Sequence, residues 1–110
     1  MAQREGERTK MIEVDYHKEK GIVIKGHALY APIGSDIVCA GVSALYQTLV
    51  LSLYNLTNET NIHCYLLGEK HHIDFYGELS ECAQILIDSF LLGIGEIEKE
   101  YPKNVKLTKH

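Results

Sequence analysis

The sequence has no excess of basic residues. It carries 11 Lys and Arg against 15 Asp and Glu, a formal net charge of −4. Proteins that bind nucleic acid concentrate positive charge to neutralise phosphates, so we expect no direct nucleic-acid partner. The chain also has neither a P-loop nor a Gly-rich dinucleotide fingerprint. We therefore predict no cofactor.

Cysteines are few and are not arranged in pairs. The three are Cys39, Cys64 and Cys82, with no CxxC spacing, and the polar residues 1–10 contain no apolar core of a signal peptide. We also expect no membrane partner, because no window approaches the roughly 20 apolar residues of a membrane span. This pattern predicts reduced thiols in a cytoplasmic protein. We interpret Cys64 and Cys82 as core residues.

Histidines are more frequent, but they do not predict a metal site. His63, His71 and His72 fall on one predicted hairpin. Metal ligands must converge on a single point, whereas consecutive residues of a strand point to opposite faces of the sheet. We therefore expect no metal.

Hydrophobic patterning predicts a small α+β domain. With 110 residues, one domain is expected, and we assign residues 11–110 to it and residues 1–10 to a flexible leader. Alternating and helical patterns place strands at 11–17, 22–26, 62–67, 70–76 and 104–108, and helices at about 37–54 and 80–101. The order ββαββαβ favours a two-layer sandwich with an antiparallel or mixed sheet and two helices on one face.

The first predicted helix is apolar around most of its circumference. One stripe holds Val38, Val42, Leu45, Leu49 and Leu53, and further apolar residues lie off that stripe. A helix of this kind is buried on more than one side. We expect it to pack on the sheet and also on a partner subunit.

The most informative stretch lies between the second strand and this helix. His27 follows the strand, and Cys39 lies in the first helical turn if Asp36 is the N-cap. The backbone N–H groups and positive end of a helix favour a thiolate there. A thiol and an imidazole are the parts of a cysteine nucleophile and its base. The alternative is that Cys39 is a small buried side chain and His27 an ordinary strand-end histidine.

Neighbouring residues have two interpretations each. Asp36 orients His27 as a third catalytic group or only caps the helix, and capping is the favoured role. Ser43 lies one turn beyond Cys39 and donates either to the site or to its own helix backbone. Gly26 and Gly34 are candidate hinges of the intervening loop, Leu29–Ser35, which we expect to close over substrate.

The same stretch resembles a known family. Gly26-His27-Ala28, Ala31, Gly34, Asp36-Ile37-Val38-Cys39-Ala40 and Val42-Ser43-Ala44 are similar to the motif of the ribosomal-processing cysteine proteases. The resemblance implies a cysteine endopeptidase with Cys39 as nucleophile and His27 as base. It also implies a homodimer that removes the N-terminal extension of large-subunit ribosomal protein twenty-seven after a pair of aromatic residues.

Two other functions remain open from the residues themselves. One is a non-enzymatic dimeric module that binds a ribosomal or assembly protein. The other is a thiol-redox sensor that uses Cys39. Cleavage of a peptide, dependent on Cys39, distinguishes the protease from both.

Overall fold

A computed structural model describes residues 11–26 and 37–110. The elements of this part are β1 (Ile12–His17), β2 (Gly21–Lys25), α1 (Ile37–Leu56), β3 (Ile62–Leu67), β4 (Lys70–Phe75), α2 (Glu81–Glu100) and β5 (Val105–Lys109). The predicted order ββαββαβ is confirmed. The boundaries differ by a few residues at most, the largest difference being that α1 continues to Leu56 instead of ending near position 54.

The strands form one mixed sheet in the order β3-β4-β2-β1-β5. Only the β1–β5 pair is parallel, and the other neighbours are antiparallel. The register brings the start of β1, the end of β2, the β3–β4 turn and the start of β5 to the same end of the sheet. We call this the upper end. The β3–β4 turn is the expected two-residue turn, and Gly68 in it has a φ of 65°, which a glycine adopts without strain.

One face of the sheet, the inner face, holds the core. Strand residues at alternate positions are buried there against side chains from both helices, as the period of two requires. The largest fully buried side chains of the described residues are Ile12, Val14, Ile22, Val42, Leu53, Ile73, Ile87, Ile94 and Val105. Both helices therefore cover one face, as predicted, and the opposite face, the outer face, carries no helix within the described residues.

The two helices run antiparallel and approach each other closely. A Cβ on Gly93 of α2 would lie 2.9 Å from Leu45 Cδ1 of α1, and a Cβ on Gly41 would lie 3.4 Å from Ile97 Cδ1. These two contacts set the start of α1 beside the end of α2. Because β5 follows α2 directly, with Val105 N–H donating to Tyr101 O, the start of α1 lies at the upper end of the sheet.

Side-chain caps define the start of α2. Ser80 is the N-cap, as predicted, and its hydroxyl accepts a hydrogen bond from Ala83 N–H at 3.2 Å. The Glu59 carboxylate accepts from Ser80 N–H at 2.7 Å and from Asn61 N–H at 2.8 Å. These backbone donors hold the pKa of Glu59 below its ordinary value. The carboxylate thus ties the α1–β3 connection to the start of α2.

Two apolar side chains near the start of α2 are exposed. Cys82 is exposed, so its assignment to the core is wrong, and Ile85 is 65% exposed. The buried residues of α2 are Ala83, Ile87, Phe90, Leu91 and Ile94. Their spacing of four, three, one and three places one stripe towards the sheet. Ile85 lies almost opposite the centre of this stripe and Cys82 lies well outside it, because an α-helix turns 100° per residue.

The expectation that no segment has the apolar length of a membrane span is also wrong. In the described residues α1 has 20 residues, with a mean hydropathy of 1.6 over its most apolar window. A core helix of a globular domain passes the same test of length and composition. The inward stripe of α1 packs into the domain core, so its length alone identifies no membrane segment.

The glycines of α2 provide a matched test of helix packing. Gly95 has nothing within 4 Å of a built Cβ, so Gly95→Ala should raise the free energy of unfolding by about 0.5–1 kcal/mol through helix propensity. Gly93→Ala should raise the free energy of unfolding by less than this, or lower it, because its methyl group would contact Leu45. Urea unfolding measures both. Equal stabilisation by the two substitutions would contradict the close helix contact.

Candidate active site

Cys39 is the third residue of α1 and therefore lies in its first turn, as predicted. Its side chain is 3% exposed and belongs to the edge of the core. The antiparallel contact of α1 with α2 places this turn at the upper end of the sheet. The positive end of the α1 dipole is thus directed at the region of the thiol, which favours the thiolate over the thiol.

Gly26 brings the chain out of β2 at the same end. It follows the last residue of the strand with a φ of 120°, and a Cβ there would lie 2.5 Å from Met11 O and 2.9 Å from Ile12 Cα. A side chain larger than hydrogen does not fit this close approach to β1. Gly26 therefore has a structural role at the point where the chain continues to His27, whether or not it is a hinge.

Several predicted site residues lie outside the described residues. They are His27, Gly34, Asp36 and the loop Leu29–Ser35. Ser43 is within α1 and half-buried, one turn from Cys39, and its role stays a prediction. The described elements bring the residue before His27 and the turn that carries Cys39 to one end of the fold.

The other two thiols have different surroundings. Cys64 is half-buried on β3, and burial raises the pKa of its thiol. Its backbone N–H donates to the Tyr54 hydroxyl on α1 at 3.3 Å. Cys82 is exposed in the first turn of α2. Cys64 is therefore a poor nucleophile at neutral pH, since the thiolate is the reactive form.

The histidines of the β3–β4 hairpin point to opposite faces, as expected from their spacing. His71 is on the inner face, where its ring lies 5.3 Å from Tyr46 in an edge-on contact. Burial lowers the pKa of His71. His72 is on the outer face and stacks on Tyr65 with ring centroids 4.7 Å apart. Among the described residues no three His, Cys, Asp or Glu side chains converge to hold a metal.

A groove at the upper end was not predicted. It has a volume of about 810 Å³ and lies between the β1–β2 side of the sheet and the β3–β4 turn. Its walls are formed by Met11, Glu13, Lys25, Gly26, Leu67, Gly68, Glu69, Lys70 and His72. The groove could not be predicted from the sequence because its walls come from two hairpins that are far apart in the chain. They are brought together by the pairing of β2 with β4.

Comparison with known proteins identifies the family. Residues 10–106 match the family model of the cysteine protease Prp, which spans nearly all of the described fold. The chain belongs to the cysteine protease Prp family. It is therefore an enzyme, a cysteine protease, and the interpretation as a non-enzymatic module is not supported.

Individual relatives agree in sequence and in fold. The ribosomal processing cysteine protease Prp of Staphylococcus aureus is 33% identical over 94 residues, which cover 84% of this chain and 89% of the relative. A crystal structure of an S. aureus Prp with a covalently linked product peptide has a TM-score of 0.79 at 31% identity. A second, with a substrate peptide, has a TM-score of 0.74 at 29% identity. The chain covers 100% of both structures, which cover 91% of it, and the predicted α+β fold is confirmed.

The rate of alkylation should differ between Cys64 and Cys82, the two cysteines outside α1. At pH 7, iodoacetamide should modify Cys82 several-fold faster than Cys64, because Cys82 is exposed and the pKa of Cys64 is raised. Peptide mass mapping over a time course measures the two rates. In urea the rates should converge. A Cys64 that reacts as fast as Cys82 in the folded protein would contradict the burial of its thiol.

Proposed function

We propose that this protein is an endopeptidase that removes a short N-terminal extension from a ribosomal protein during ribosome assembly. The observation that carries the proposal is the position of Cys39 in the first turn of α1, in a chain of a cysteine protease family. The proposed substrate is the leader of large-subunit ribosomal protein twenty-seven, cut after an aromatic pair. Since ribosomes are assembled in the cytoplasm, that is the proposed location.

In the proposed mechanism Cys39 is the nucleophile and His27 the base. His27 takes the thiol proton, and the thiolate attacks the scissile carbonyl to give a tetrahedral oxyanion. The C–N bond then breaks, and the imidazolium protonates the leaving amine. Water hydrolyses the remaining thioester and regenerates the thiol. The positive end of α1 favours both the thiolate and the oxyanion.

Two further observations support this mechanism. An S. aureus relative holds a covalently linked product peptide, which is the kind of species that a protein nucleophile forms. In this chain Cys39 lies in the first turn of α1, at the end of the fold where the chain leaves β2 towards His27. Burial raises the pKa of Cys64, and Cys82 lies in the first turn of α2 at the opposite end of the domain. Because Cys39 is almost fully buried, substrate access requires a change in the residues around the thiol.

We also propose that two copies associate through the outward surface of α1. The helix contains no charged residue, yet Ile37, Leu51 and Tyr54 are exposed on its outward side. In a two-fold dimer the same patch packs on itself, so a charge close to the symmetry axis would lie near its own copy, and a charge elsewhere would need an opposite charge in the same patch. A charge-free apolar patch avoids this repulsion and gains free energy from burial.

Cleavage assays test the catalytic assignment. Cys39→Ala should lower kcat/KM for the leader peptide by about 10³-fold or more, since it removes the nucleophile. Cys82→Ala is the matched control and should cleave at the wild-type rate. His27→Ala should also lose most activity, whereas His17→Ala should not, because His17 ends β1 at the opposite end of the sheet. Mass spectrometry of the products measures each rate. Cleavage that survives Cys39→Ala would refute the mechanism.

Sedimentation velocity tests the dimer. Leu51 is 62% exposed on α1, and Leu51→Asp should raise the dimer dissociation constant by about a hundredfold or more, because it buries an unpaired charge in the interface. Leu92→Asp, on the exposed side of α2, should leave the dissociation constant unchanged. A wild-type protein that is monomeric at all concentrations, or a Leu51→Asp protein that remains dimeric, would contradict the proposal.

A further inference from the structure

We infer that the upper-end groove on the outer face of the sheet binds the substrate peptide at residues remote from the scissile bond, with Leu67 as a specificity-determining contact. This inference rests on the proposed function. It assigns a role to a surface that lies on the opposite side of the sheet from the helix carrying Cys39.

The position of the groove is the first argument. Gly26 is one of its walls, and the residue after Gly26 is His27, the proposed base. The turn of α1 that carries Cys39 lies at the same end of the sheet but on the inner side. An extended chain advances about 3.3–3.6 Å per residue. A peptide that crosses the upper edge therefore needs only a few residues to join the groove to the thiol.

The charge of the groove is the second argument. Its lining has two acidic and two basic side chains, Glu13 and Glu69 with Lys25 and Lys70. Lys25 Nζ lies 3.7 Å from a Glu13 carboxylate oxygen, so these two charges largely offset each other. A phosphate ligand would require an excess of positive charge. The balanced lining fits an uncharged peptide backbone, and the volume of about 810 Å³ is within the range of ligand pockets.

Leu67 is the third argument. It lies at the end of β3 on the outer face, opposite Lys70, and is 64% exposed. The outer face has no helix within the described residues, so no hydrophobic core from that part of the chain buries the Leu67 side chain. An exposed leucine at the wall of a groove is suited to pack against an apolar side chain of the peptide. The substrate would then be recognised at an apolar residue some positions away from the cut.

His72 forms a rigid part of the same wall. Its ring is parallel to that of Tyr65, with an interplanar angle of 2°, and the Tyr65 hydroxyl donates to Asp74 at 2.9 Å. Nε2 of His72 is buried and has no hydrogen-bond partner among the described residues. A buried polar atom without a partner is costly.

Kinetics with a single substitution test the groove. Leu67→Ser should raise KM for the leader peptide about tenfold and change kcat less than about twofold, because the contact is remote from the reacting bond and is lost equally in ground and transition states. Leu92→Ser is the matched control. Leu92 is 72% exposed on α2, and its loss should change neither constant. An unchanged KM for Leu67→Ser would overturn the inference.

A double-mutant cycle locates the partner of Leu67 on the peptide. Each leader residue is replaced by Ala and assayed with wild-type and Leu67→Ser protein. One apolar position should lower kcat/KM in the wild type but have little further effect in Leu67→Ser. If the effect of every peptide substitution on kcat/KM simply adds to that of Leu67→Ser, the groove does not contact the peptide and the inference is wrong. The inference is also wrong if sedimentation shows that Leu67→Ser loses activity because it no longer forms the dimer.

Binding separates failure of this inference from failure of the proposed function. The fluorescein-labelled leader peptide is titrated against Cys39→Ala protein with and without Leu67→Ser, and anisotropy should show about tenfold weaker binding when Leu67 is replaced. If wild-type protein does not cleave the leader but this difference remains, the proposed function fails and the groove is supported. If cleavage occurs and the difference is absent, the groove is refuted and the proposed function stands.

Discussion

Burial of the inner face of the sheet under two antiparallel helices is the constraint on which the site depends. Each aliphatic side chain that is fully buried contributes roughly 1.5–3 kcal/mol through the hydrophobic effect. The fully buried side chains come from strands β1, β2, β4 and β5 and from both helices. In the observed lengthwise position of the helices, Gly93 packs against Leu45 and Gly41 against Ile97. That position brings the first turn of α1, with Cys39, to the end of the sheet where β2 ends.

The two faces of the sheet differ in composition and in how far the helices cover them. The inner face carries Ile, Val and Phe side chains that are shielded by the helices. The outer face carries charged and aromatic residues with little cover from the described part of the chain, and several of them contact one another, as in the stack of Tyr65 on His72. Because consecutive strand residues alternate between faces, a side chain on the outer face can be replaced without removing a side chain from the core on the inner face. Leu66 and Leu67 are neighbours in sequence but belong to different surfaces.

Much of the fold could be predicted from local pattern, and the errors have physical causes. The strand of residues 62–67 and the N-cap Ser80 follow directly from alternation and from hydrogen-bonding capacity. The assignment of Cys82 to the core was wrong because this side chain lies outside the buried stripe of α2. Periodicity finds a helix, but it does not decide which of several apolar stripes meets the sheet. The mixed character of the sheet was left open, since parallel pairing of β1 with β5 joins residues about 90 positions apart.

The sequence by itself determined the order of elements, the cysteine in a first helical turn, and, through a specific motif around His27 and Cys39, the family. These features are local, so short segments encode them. Only the tertiary structure decided that the exit of β2 and the start of α1 share one end of the fold, that Cys64 is shielded while Cys82 is exposed, and that two hairpins form a groove beside Gly26. These features depend on strand pairing and helix packing across long sequence separations, where the free energy of burial chooses among arrangements that the local pattern permits equally.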